Sequence, residues 1–541
     1  MLPTTLTPGR PSCRQLPVKV SVGSSNIHRA DALAAGGQGG YHCPYTFLCL
    51  LGAFSMARCS RLGRFAASKG HDEQQKALVV GAGPSGLAVS LMLAKRGWNV
   101  SVFERTSDPA AYDPGKGFMY LIDGRGQKCL RDLSPKLFER LVDSAVAMAD
   151  AKIGVLTPKG LTERVNPIKD ADRKSYWIPR HAFVGFLLDE ARKMENINLY
   201  LEADIQNMAS DASGFHIDVG FAGSSEVTAH QASLLVGADG YRSAVRDKLE
   251  EWDGKKGRYR VKTFSSPSAG LRYKVLTLPG AFELETPEGK KTFLSEGFYA
   301  IRGVSKNKCK QKLGLIPVSK EFGTRTANLI TYEDDAVWEA DTAESFTAYA
   351  SDQWPHFPLK SLVSDEEILR FAKNRGGRFP SPQYCPSAAW TGESGAAILL
   401  GDALHSLPPD IGQGVNSALE DVTVLEACFA STDRDGNASD AVREFETRRM
   451  PDVEALIKIV RVAAPFQYSQ APWRGRLWNV SFLCRLLLNK ALPAVFDLPL
   501  FLLIQRSEMS YREVWKKGGR GAQRATMLGI LAVGAIIWKI T

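Results

Sequence analysis

The sequence predicts an α/β protein in which a Rossmann-type dinucleotide-binding domain is interleaved with a mostly antiparallel β-sheet domain. Three observations lead to this fold class. A strand, a glycine-rich turn, a helix and a second strand follow one another over residues 77–105. Two further strand-to-helix segments lie at 234–246 and 396–424, and many strand-like runs without another such glycine motif fill residues 258–360. At 541 residues the chain is long enough for two sizeable cores.

The glycine motif is the segment around which the chain is organised. The apolar run 77–80 has the length of a buried parallel strand, and Gly81, Gly83 and Gly86 follow it. The first glycine permits a tight turn, the second lets the backbone approach a pyrophosphate, and the third lets helix and strand pack closely. Glu104 ends the second strand about twenty residues later, where a carboxylate accepts hydrogen bonds from a ribose. A glycine-rich turn of another α/β protein would not account for Glu104, so we predict a dinucleotide site.

The N-terminal region has a composition unlike the rest of the chain. Residues 1–70 contain eight lysines and arginines but a single acid, Asp31. This acid-poor composition is typical of a transit peptide for a chloroplast or mitochondrion, so we place residues 1–75 outside the fold. The alternative is that Met56 is the true start. Because the formal net charge of +10 is concentrated at the two ends of the chain, it does not indicate a nucleic-acid partner.

The C-terminal end predicts an organelle-associated membrane protein. Residues 526–540 are apolar except near their ends and follow a basic patch at 516–524. These fifteen residues are fewer than the roughly twenty that cross a bilayer, so we predict a short transmembrane tail anchor at 526–541. The apolar stretch 477–504 either packs on the core or contacts the membrane.

The nine cysteines and eight histidines show no recognisable ligand spacing. There is no CxxC pair and no HExxH pattern. We therefore expect no disulfide framework and no metal site.

Three further positions combine a polar side chain with a turn or a helix start. Arg125 follows residues 115–124, which form either a surface hairpin or a stretch beside a bound cofactor. Arg180 begins an apolar helix, where a guanidinium suits a phosphate or a ring carbonyl, although such residues are more often solvated. Asp239 follows a strand at the sheet edge where open α/β sheets bind ligands, or else it caps a turn.

The third motif, residues 396–424, contains a strand end at Gly401-Asp402, a proline-rich loop and a helix that begins near Gly414. Asp402 can hold a ribitol or ribose hydroxyl. The backbone donors of the loop and the helix N-terminus can face a pyrimidine carbonyl or the negative charge of a reduced ring. His405 is a candidate base, but a structural histidine that bonds the loop is the stronger interpretation.

Together these motifs resemble those of a known family. GAGPSG with FER, then GADGYRS, then GDALHSLPPDIGQGVN occur in the order and rough separation found in the flavoprotein aromatic hydroxylases of the p-hydroxybenzoate hydroxylase fold. Within that group the chain most resembles the kynurenine 3-monooxygenases. Matches to these enzymes lie at residues 115–126, Pro451-Asp452, 491–493 and 509–513, and the resemblance covers residues 76–541.

The resemblance implies that the Rossmann-type domain binds FAD. The FAD-binding positions of the family fall on Gly81, Gly83, Ser85, Phe103, Glu104, Arg105, Leu121, Arg180, Ile205, Asp239, Asp402, Val415 and Asn416. The predicted cofactor set is completed by four further residues of the same motifs, Gly86, Arg125, Gly401 and Gly414.

The resemblance also implies an FAD-dependent monooxygenase. In such enzymes NADPH is a transient electron donor, the reduced flavin reacts with O₂ to form a C4a-hydroperoxide, and an activated aromatic or other apolar substrate is hydroxylated. The flavin carries the chemistry, so we predict no catalytic side chain. The family binds NAD(P)H at a surface without a dinucleotide fold of its own, which agrees with the single glycine motif.

The substrate-contacting positions of the family differ in this chain. Ile168 and Phe501 fall on tyrosine positions, Ala463 falls on an asparagine position, and only Lys152 lies near a missing arginine. Each lost charge-assisted hydrogen bond costs about 1.5–3 kcal/mol. We therefore predict a substrate less polar than kynurenine, an aromatic or isoprenoid compound taken from a membrane.

Two alternative functions stay open at this point. The first is a flavin-dependent reductase or dehydrogenase of the same fold that acts on a membrane-derived isoprenoid. The second is a membrane-tethered flavoprotein that senses redox state or serves as a scaffold.

The predicted organisation has five parts after the transit-like segment. They are the first part of the FAD-binding domain with a small substrate-side layer (76–250), the antiparallel substrate domain (251–375), the second part of the FAD-binding domain (376–450), a C-terminal helical region (451–525) and the tail (526–541).

Overall fold

The computed structural model describes residues 75–113, 117–164, 174–304, 312–432, 438–468 and 470–540. Four of the predictions fall on other residues. The transit-like segment up to residue 74, Gly115, Lys116 and Ile168 lie outside the described residues.

Helices and strands alternate at the start of the described chain, strands dominate its middle, and consecutive helices form its C-terminal end. The helices are α1 (Pro84–Lys95), α2 (Gly124–Leu133), α3 (Pro135–Ser144), α4 (Arg180–Ala191), α5 (Ala244–Trp252), α6 (Ala343–Gln353), α7 (Leu359–Leu362), α8 (Asp365–Lys373), α9 (Gly414–Thr432), α10 (Ala438–Ala463), α11 (Pro472–Ala491), α12 (Leu500–Leu503) and α13 (Tyr511–Ile540). The strands are β1 (Lys76–Val80), β2 (Asn99–Phe103), β3 (Met119–Ile122), β4 (Val146–Ala147), β5 (Ile153–Thr157), β6 (Gly160–Arg164), β7 (Tyr176–Pro179), β8 (Ile197–Tyr200), β9 (Ala203–Asp211), β10 (Gly214–Phe221), β11 (Val227–Ala232), β12 (Leu234–Gly237), β13 (Lys262–Thr263), β14 (Arg272–Pro279), β15 (Phe282–Thr286), β16 (Gly289–Phe293), β17 (Phe298–Arg302), β18 (Lys312–Leu315), β19 (Thr324–Thr331), β20 (Gly377–Arg378), β21 (Gln383–Tyr384), β22 (Ala389–Gly392), β23 (Gly395–Leu399) and β24 (His405–Ser406).

A six-stranded sheet forms the centre of the first domain. Its strand order is β22-β23-β12-β1-β2-β8, and it is parallel except for the edge strand β22. Val80 at the end of β1 is level with Gly237 on β12 and with Phe103 on β2. The carboxyl ends of these strands therefore meet at one edge, which is where open α/β sheets bind ligands. The prediction of a Rossmann-type domain is confirmed.

The glycine-motif helix α1 is buried along almost its whole length, from Ser85 to Ala94. This agrees with a helix that has apolar residues on all faces and is surrounded by protein. The small antiparallel sheet β11-β10-β9 also packs against the central sheet. The ring of Phe103 on β2 lies 5.2 Å from that of Tyr200 and 4.9 Å from that of His230 on β11.

The second large sheet has the order β20-β14-β19-β18-β17-β5-β6. It is antiparallel except where β17 pairs with β5. Because β5 and β6 precede the end of the first domain in the chain, the two domains are interleaved as the sequence predicts. Phe346 on α6, Trp354 directly after it and Phe371 on α8 belong to a separate core beneath this sheet. The predicted fold class is therefore confirmed.

A buried arginine, Arg125, connects the C-terminal segment to the first domain by hydrogen bonds. Its guanidinium donates to the carbonyl oxygens of Ile504 at 3.1 Å, Arg506 at 3.3 Å and Met509 at 2.9 Å. It also lies 4.5 Å from the ring centre of Tyr511. These contacts hold the start of α13 against the first domain.

Within the described part of the chain, no helix combines the length and the apolar composition needed to cross a bilayer. The predicted transmembrane tail is therefore not supported. Although α13 runs from Tyr511 to Ile540, its first half is polar and charged, and its apolar part is shorter than the roughly twenty residues that a crossing requires.

An ion network that centres on the buried Arg449 links α9 and α10. Its guanidinium donates to Asp421 at 2.8 Å and to Glu420 at 2.7 Å, and also to the Ser417 carbonyl at 2.9 Å. Asp421 in turn accepts from the Gly401 backbone N–H at 2.8 Å. Burial raises the pKa of Asp421, but His405 and Arg449 lower it, and the net shift is downward. The charged carboxylate therefore holds the third motif in place.

We predict that Asp421→Asn lowers the free energy of unfolding by about 3–5 kcal/mol, because it leaves a buried guanidinium with one carboxylate fewer. Urea denaturation followed by tryptophan fluorescence measures this loss. The matched control is Glu444→Gln, which breaks the exposed Arg448–Glu444 pair on α10. It should cost at most about 1 kcal/mol. Equal losses in the two variants would contradict the role assigned to the buried network.

Candidate functional site

The glycine loop between β1 and α1 leaves open space beside the start of the helix. Gly81 has a φ of +102°, and a Cβ there would lie 2.4 Å from the Ala238 carbonyl oxygen. A Cβ on Gly86 would lie 1.8 Å from the Gly81 carbonyl oxygen, whereas a Cβ on Gly83 would meet no atom within 4 Å. The first and third glycines are thus required by packing. The second faces a space, at a helix N-terminus, of the kind that a phosphate occupies.

Glu104 stabilises the glycine loop from the end of β2. Its Oε2 accepts from the Ala82 N–H at 2.9 Å, and its Oε1 accepts from the N–H and the hydroxyl of Thr106 at 3.0 and 2.9 Å. An ionised carboxylate offers about four acceptor positions, so capacity for a ribose hydroxyl is left.

Asp239 divides its two carboxyl oxygens between two roles. Oδ2 accepts from the backbone N–H of Ala244 at 2.6 Å and of Val245 at 3.2 Å and so caps α5. Oδ1 is buried and has no partner within the described residues. Burial raises the pKa of this carboxyl against the lowering effect of its hydrogen bonds. The capped turn is therefore present, and one oxygen is still open to a ligand.

The third motif packs directly on the first. Gly401 has a φ of +57°, and a Cβ there would lie 2.2 Å from the hydroxyl oxygen of Ser85. The next residue, Asp402, is exposed to solvent but lies in a recess. Surrounding protein raises its pKa by desolvation, His405 acts to lower it, and Asp421 acts to raise it. The recess brings the Asp402 carboxyl close to the glycine motif.

Tyr120 interacts electrostatically with both Arg180 and Asp402, so residues from three distant parts of the chain contribute to the recess. Burial raises the pKa of Tyr120, Asp402 raises it further, and the charge and hydrogen bond of Arg180 act in the opposite direction. Arg180 begins α4, and its backbone N–H donates to the Phe118 carbonyl at 3.0 Å. Leu121 was predicted from the sequence as a cofactor residue, but Tyr120 was not. Because neighbouring residues of a strand point to opposite faces, the alternation along β3 could have indicated Tyr120.

The loop before α9 brings further backbone to this recess. Gly412 adopts a left-handed conformation with a φ of +63°, and a Cβ on Gly414 would meet no atom within 4 Å. Asn416 uses its side chain within the protein. Its oxygen accepts from the Asp123 N–H at 2.9 Å, and its amide donates to the carbonyls of Leu121 at 2.7 Å and Gly412 at 2.8 Å. Asn416 therefore positions the loop, and open space lies beside Gly414.

Several predicted cofactor residues have side chains that are engaged elsewhere. Phe103 is 2% exposed, and its carbonyl accepts from the Gly81 N–H at 2.8 Å. The guanidinium of Arg125 donates to carbonyls of the C-terminal segment, and its place beside a cofactor stays a prediction. Ile205 is partly buried opposite Val219.

Two other predicted cofactor residues differ in their exposure. Arg105 is exposed after β2. Val415 is partly buried in the first turn of α9 and packs on the main core.

His405 is a structural residue. It is 1% exposed, and its Nε2 lies 2.9 Å from Asp421 Oδ2. Because this carboxylate also accepts from Gly401 and Arg449, the imidazole is part of the buried ion network. This agrees with the structural interpretation and not with that of a solvent-facing base.

Two of the predicted substrate positions share one cavity. Ala463 at the end of α10 and Phe501 on α12 line a space of about 290 Å³, together with Trp478, Phe482, Arg485 and Trp515 among others. Its wall is thus mostly apolar and aromatic. Another cavity, of about 440 Å³, lies between α1, α2 and α9 and contains none of the predicted site residues.

A buried acid in the proline-rich loop was also missed by sequence analysis. Asp410 is 5% exposed and accepts a hydrogen bond from the Ser268 hydroxyl. The sequence feature that could have indicated it is a carboxylate within an otherwise apolar turn, Leu407 to Ile411, which directly precedes the predicted site glycines.

The comparisons with known proteins agree with this geometry. The chain matches the FAD binding domain family over residues 74–366 and 388–459. It is 27% identical over 417 residues to a kynurenine 3-monooxygenase of Cryptococcus neoformans var. neoformans serotype D (strain B-3501A), covering 71% of this chain and 77% of that protein. It is 22% identical over 477 residues to a kynurenine 3-monooxygenase of Candida albicans (strain SC5314 / ATCC MYA-2876), covering 86% and 96%.

Two solved structures share the fold. The tetrameric form of 2-methyl-3-hydroxypyridine-5-carboxylic acid oxygenase matches with a TM-score of 0.51 and 18% identity, covering 72% of this chain and 90% of that one. PqsL of P. aeruginosa in complex with 2-aminobenzoylacetate matches with a TM-score of 0.50 and 19% identity, covering 75% and 100%. The family match spans well over half of the chain and includes all three motifs. The chain therefore belongs to the FAD binding domain family, and it is an FAD-dependent monooxygenase of the aromatic hydroxylase type.

Proposed function

We propose that this monooxygenase uses NADPH and O₂ to hydroxylate an aromatic substrate, as the kynurenine 3-monooxygenases do, but that its substrate is less polar than kynurenine. The observation that carries the proposal is the convergence of the three motifs at one edge of the parallel sheet. There Arg180, Tyr120 and Asp402 surround a recess that opens beside the glycine loop.

The residues around this recess fit FAD. The open space at Gly83 and the N-terminus of α1 suit the pyrophosphate, and Glu104 suits a ribose hydroxyl. The unpartnered oxygen of Asp239 and the recessed carboxylate of Asp402 suit further hydroxyls of the cofactor. When bound, FAD supplies the oxygen-activating chemistry, while the protein orients the substrate and keeps water out.

The cavity at Ala463 and Phe501 supports a substrate of low polarity. Its aromatic members Trp478, Phe482 and Trp515 offer ring contacts, which are the usual lining of sites for apolar ligands. Neither Ala463 nor Phe501 has a side-chain hydrogen-bonding group for an amino-acid end. Arg485 could pair with a carboxylate, but no acid is among the described residues that line the cavity, so the ammonium group of a buried amino acid would be unpaired there.

We predict that Gly83→Ala weakens FAD binding while leaving the apoprotein as stable as the parent. The added methyl meets no protein atom but occupies the space assigned to the pyrophosphate. Loss of one charge-assisted contact raises the dissociation constant by about 10- to 100-fold. FAD titration by fluorescence quenching measures the change, and thermal unfolding of the apoprotein checks stability. Gly519→Ala, also at a position with free space, is the control; if it weakens binding equally, the assignment fails.

We predict that the double variant Ala463→Asn/Phe501→Tyr lowers the KM for kynurenine by about tenfold, because it restores hydrogen-bonding groups worth about 0.5–1.5 kcal/mol each. NADPH oxidation and product mass are measured together. The control is Val480→Asn on the exposed face of α11. Efficient turnover of kynurenine by the parent enzyme would contradict the low-polarity substrate. NADPH-driven O₂ consumption without any oxygenated product would instead favour the reductase or dehydrogenase alternative.

We further propose that α11 contacts a membrane surface. Trp473, Leu477, Val480, Leu483 and Leu487 are 54–62% exposed and recur every three or four residues, so they form one apolar stripe. The opposite face, with Trp478 and Phe482, lines the 290 Å³ cavity. A helix of this kind lies in the plane of a membrane interface without crossing it.

We predict that Leu477→Asp/Leu487→Asp abolishes co-sedimentation of the protein with vesicles of mixed anionic and zwitterionic phospholipid. Each aspartate removes buried apolar area and adds a charge that the interface disfavours. The matched control is Val142→Asp/Leu369→Asp, which changes two exposed apolar residues on other helices. If deletion of residues 526–541 releases the protein and the α11 variant does not, the contact belongs to the tail.

A further inference from the structure

The 290 Å³ cavity between α10, α11, α12 and α13 has a positively charged side chain in a mostly apolar wall. Arg485 of α11 lines it, together with the rings of Trp478, Phe482, Phe501 and Trp515. Aspartate and glutamate are absent from the described residues that form this wall, and Arg485 makes no hydrogen bond or ion pair with another described residue. The cavity therefore presents a positive charge that the protein does not compensate.

The position of Arg485 on α11 differs from that expected for a helix in water. Trp478, Phe482 and Arg485 follow one another at intervals of four and three residues, so they share the face that lines the cavity. The opposite face carries Leu477 and Leu487, which are 61% and 56% exposed. A surface helix in water normally directs its leucines to the core and its charged residues outward. The inward arginine therefore indicates an anionic ligand group inside the cavity.

The polar groups of the wall can act as hydrogen-bond donors. Ser481 lies one turn before Arg485 and also lines the cavity, so its hydroxyl can donate beside the guanidinium. Trp478 is already engaged, because its Nε1 donates to the Val462 carbonyl at 3.2 Å. A guanidinium with a neighbouring hydroxyl suits a carboxylate, which accepts two parallel hydrogen bonds from an arginine and has acceptor positions left. An ammonium group, which can only donate, would lie beside a second positive charge.

The apolar part of the cavity has room for a hydrocarbon body. Gly519 on α13 lines it, and a Cβ there would meet no atom within 4 Å. A Cβ on the neighbouring Gly518 would instead collide with the side chain of Leu500, so that glycine lets α12 pack closely on α13. The stacked rings of Trp478 and Phe482, with centres 5.2 Å apart, add aromatic surface. The cavity thus combines apolar space with an anion-binding end.

We propose that the substrate of this enzyme is an aromatic or isoprenoid carboxylate without an amino group, and that Arg485 and Ser481 bind its carboxylate in this cavity. This inference rests on the proposed function and narrows its substrate class. It makes Arg485 a specificity-determining residue, whereas Ala463 and Phe501 supply apolar surface. An acid with an apolar body concentrates at a membrane interface, with which the opposite face of α11 is proposed to be in contact.

The first test measures the binding of three ligands to the FAD-loaded full-length protein by isothermal titration calorimetry. The ligands are 3-phenylpropanoate, its neutral amide, and phenylalanine, which is the same acid with an added ammonium group. The dissociation constant of 3-phenylpropanoate should be about tenfold lower than those of the other two, as one charge-assisted hydrogen bond provides. Equal affinities for the acid and the amide would overturn the proposal.

The second test changes the charge and the space separately. Arg485→Gln should remove the preference for the acid and leave the affinity for the amide unchanged. Gly519→Leu fills the cavity and should weaken the acid and the amide alike, by about tenfold. The matched control is Arg476→Gln, at an exposed arginine of α11 that does not line the cavity. If Arg485→Gln keeps the preference, or if Gly519→Leu binds the acid as tightly as the parent, the carboxylate binds elsewhere and the proposal is wrong.

The third test follows turnover. With NADPH and O₂, 3-(3-hydroxyphenyl)propanoate should give an oxygenated product with a KM about tenfold lower than that of its amide, and Arg485→Gln should abolish this difference. Product mass and NADPH oxidation are measured together. Product formed from the amide as readily as from the acid, or from neither, would overturn the substrate assignment.

Failure of this inference can be distinguished from failure of the proposed function. If the parent protein binds FAD but shows no preference for the acid, the role of Arg485 is overturned and the proposed function stands. The comparison of ligands on the parent gives this result even if a variant does not fold. If the parent does not bind FAD, the proposed function fails, and the substrate assignment fails with it.

Discussion

The parallel register of β1 with β2 and β12 is the constraint on which the site depends. It makes the Gly81 N–H donate to the Phe103 carbonyl at 2.8 Å and the Ala238 N–H donate to the Val80 carbonyl at 2.9 Å. Three turns therefore leave the sheet at the same level. Their close approach explains why Gly81 and Gly86 tolerate no side chain, while the open position at Gly83 exists only because its two neighbours are packed so tightly. A slip of one residue would separate the glycine loop from Glu104 and Asp239 together.

A buried network of charged side chains connects the third motif to this arrangement. Asp421 joins the Gly401 N–H, His405 and Arg449 in a region without solvent. Such a buried pair is a weak source of net stability compared with an apolar replacement, but its loss is costly because it leaves an unpaired ion. The network matters here because it fixes the position of the strand end before Asp402 relative to α10. The helix that carries Arg449 also ends at Ala463, so one rigid element spans the cofactor side and the cavity side of the molecule.

Sequence reasoning succeeded where the chemistry is local. The strand, turn and helix of the first motif depend on neighbouring residues, and α1 ends at Lys95, before Gly97, where the glycine predicts that it should. It does not reveal the contacts that a side chain makes with a distant segment. The guanidinium of Arg125 bonds to the carbonyls of Ile504 and Met509, almost 400 residues away in the chain, and no local pattern indicates this. The parallel pairing of β5 with β17, which interleaves the two domains, likewise has no local signal.

Polar groups are distributed unevenly between the cavity at Ala463 and Phe501 and the loop that contains Asp410. At Ala463 and Phe501 the protein offers apolar surface, whereas at Asp410 it retains a carboxyl in a place where burial is costly. A buried charge of this kind is tolerated when its partners are preorganised, and Ser268, Gln467 and Tyr468 surround this carboxyl. Polar groups separate ligands more sharply than packing does, because a buried polar group left unpaired is costly, whereas an extra methyl group in an apolar cavity changes affinity only modestly.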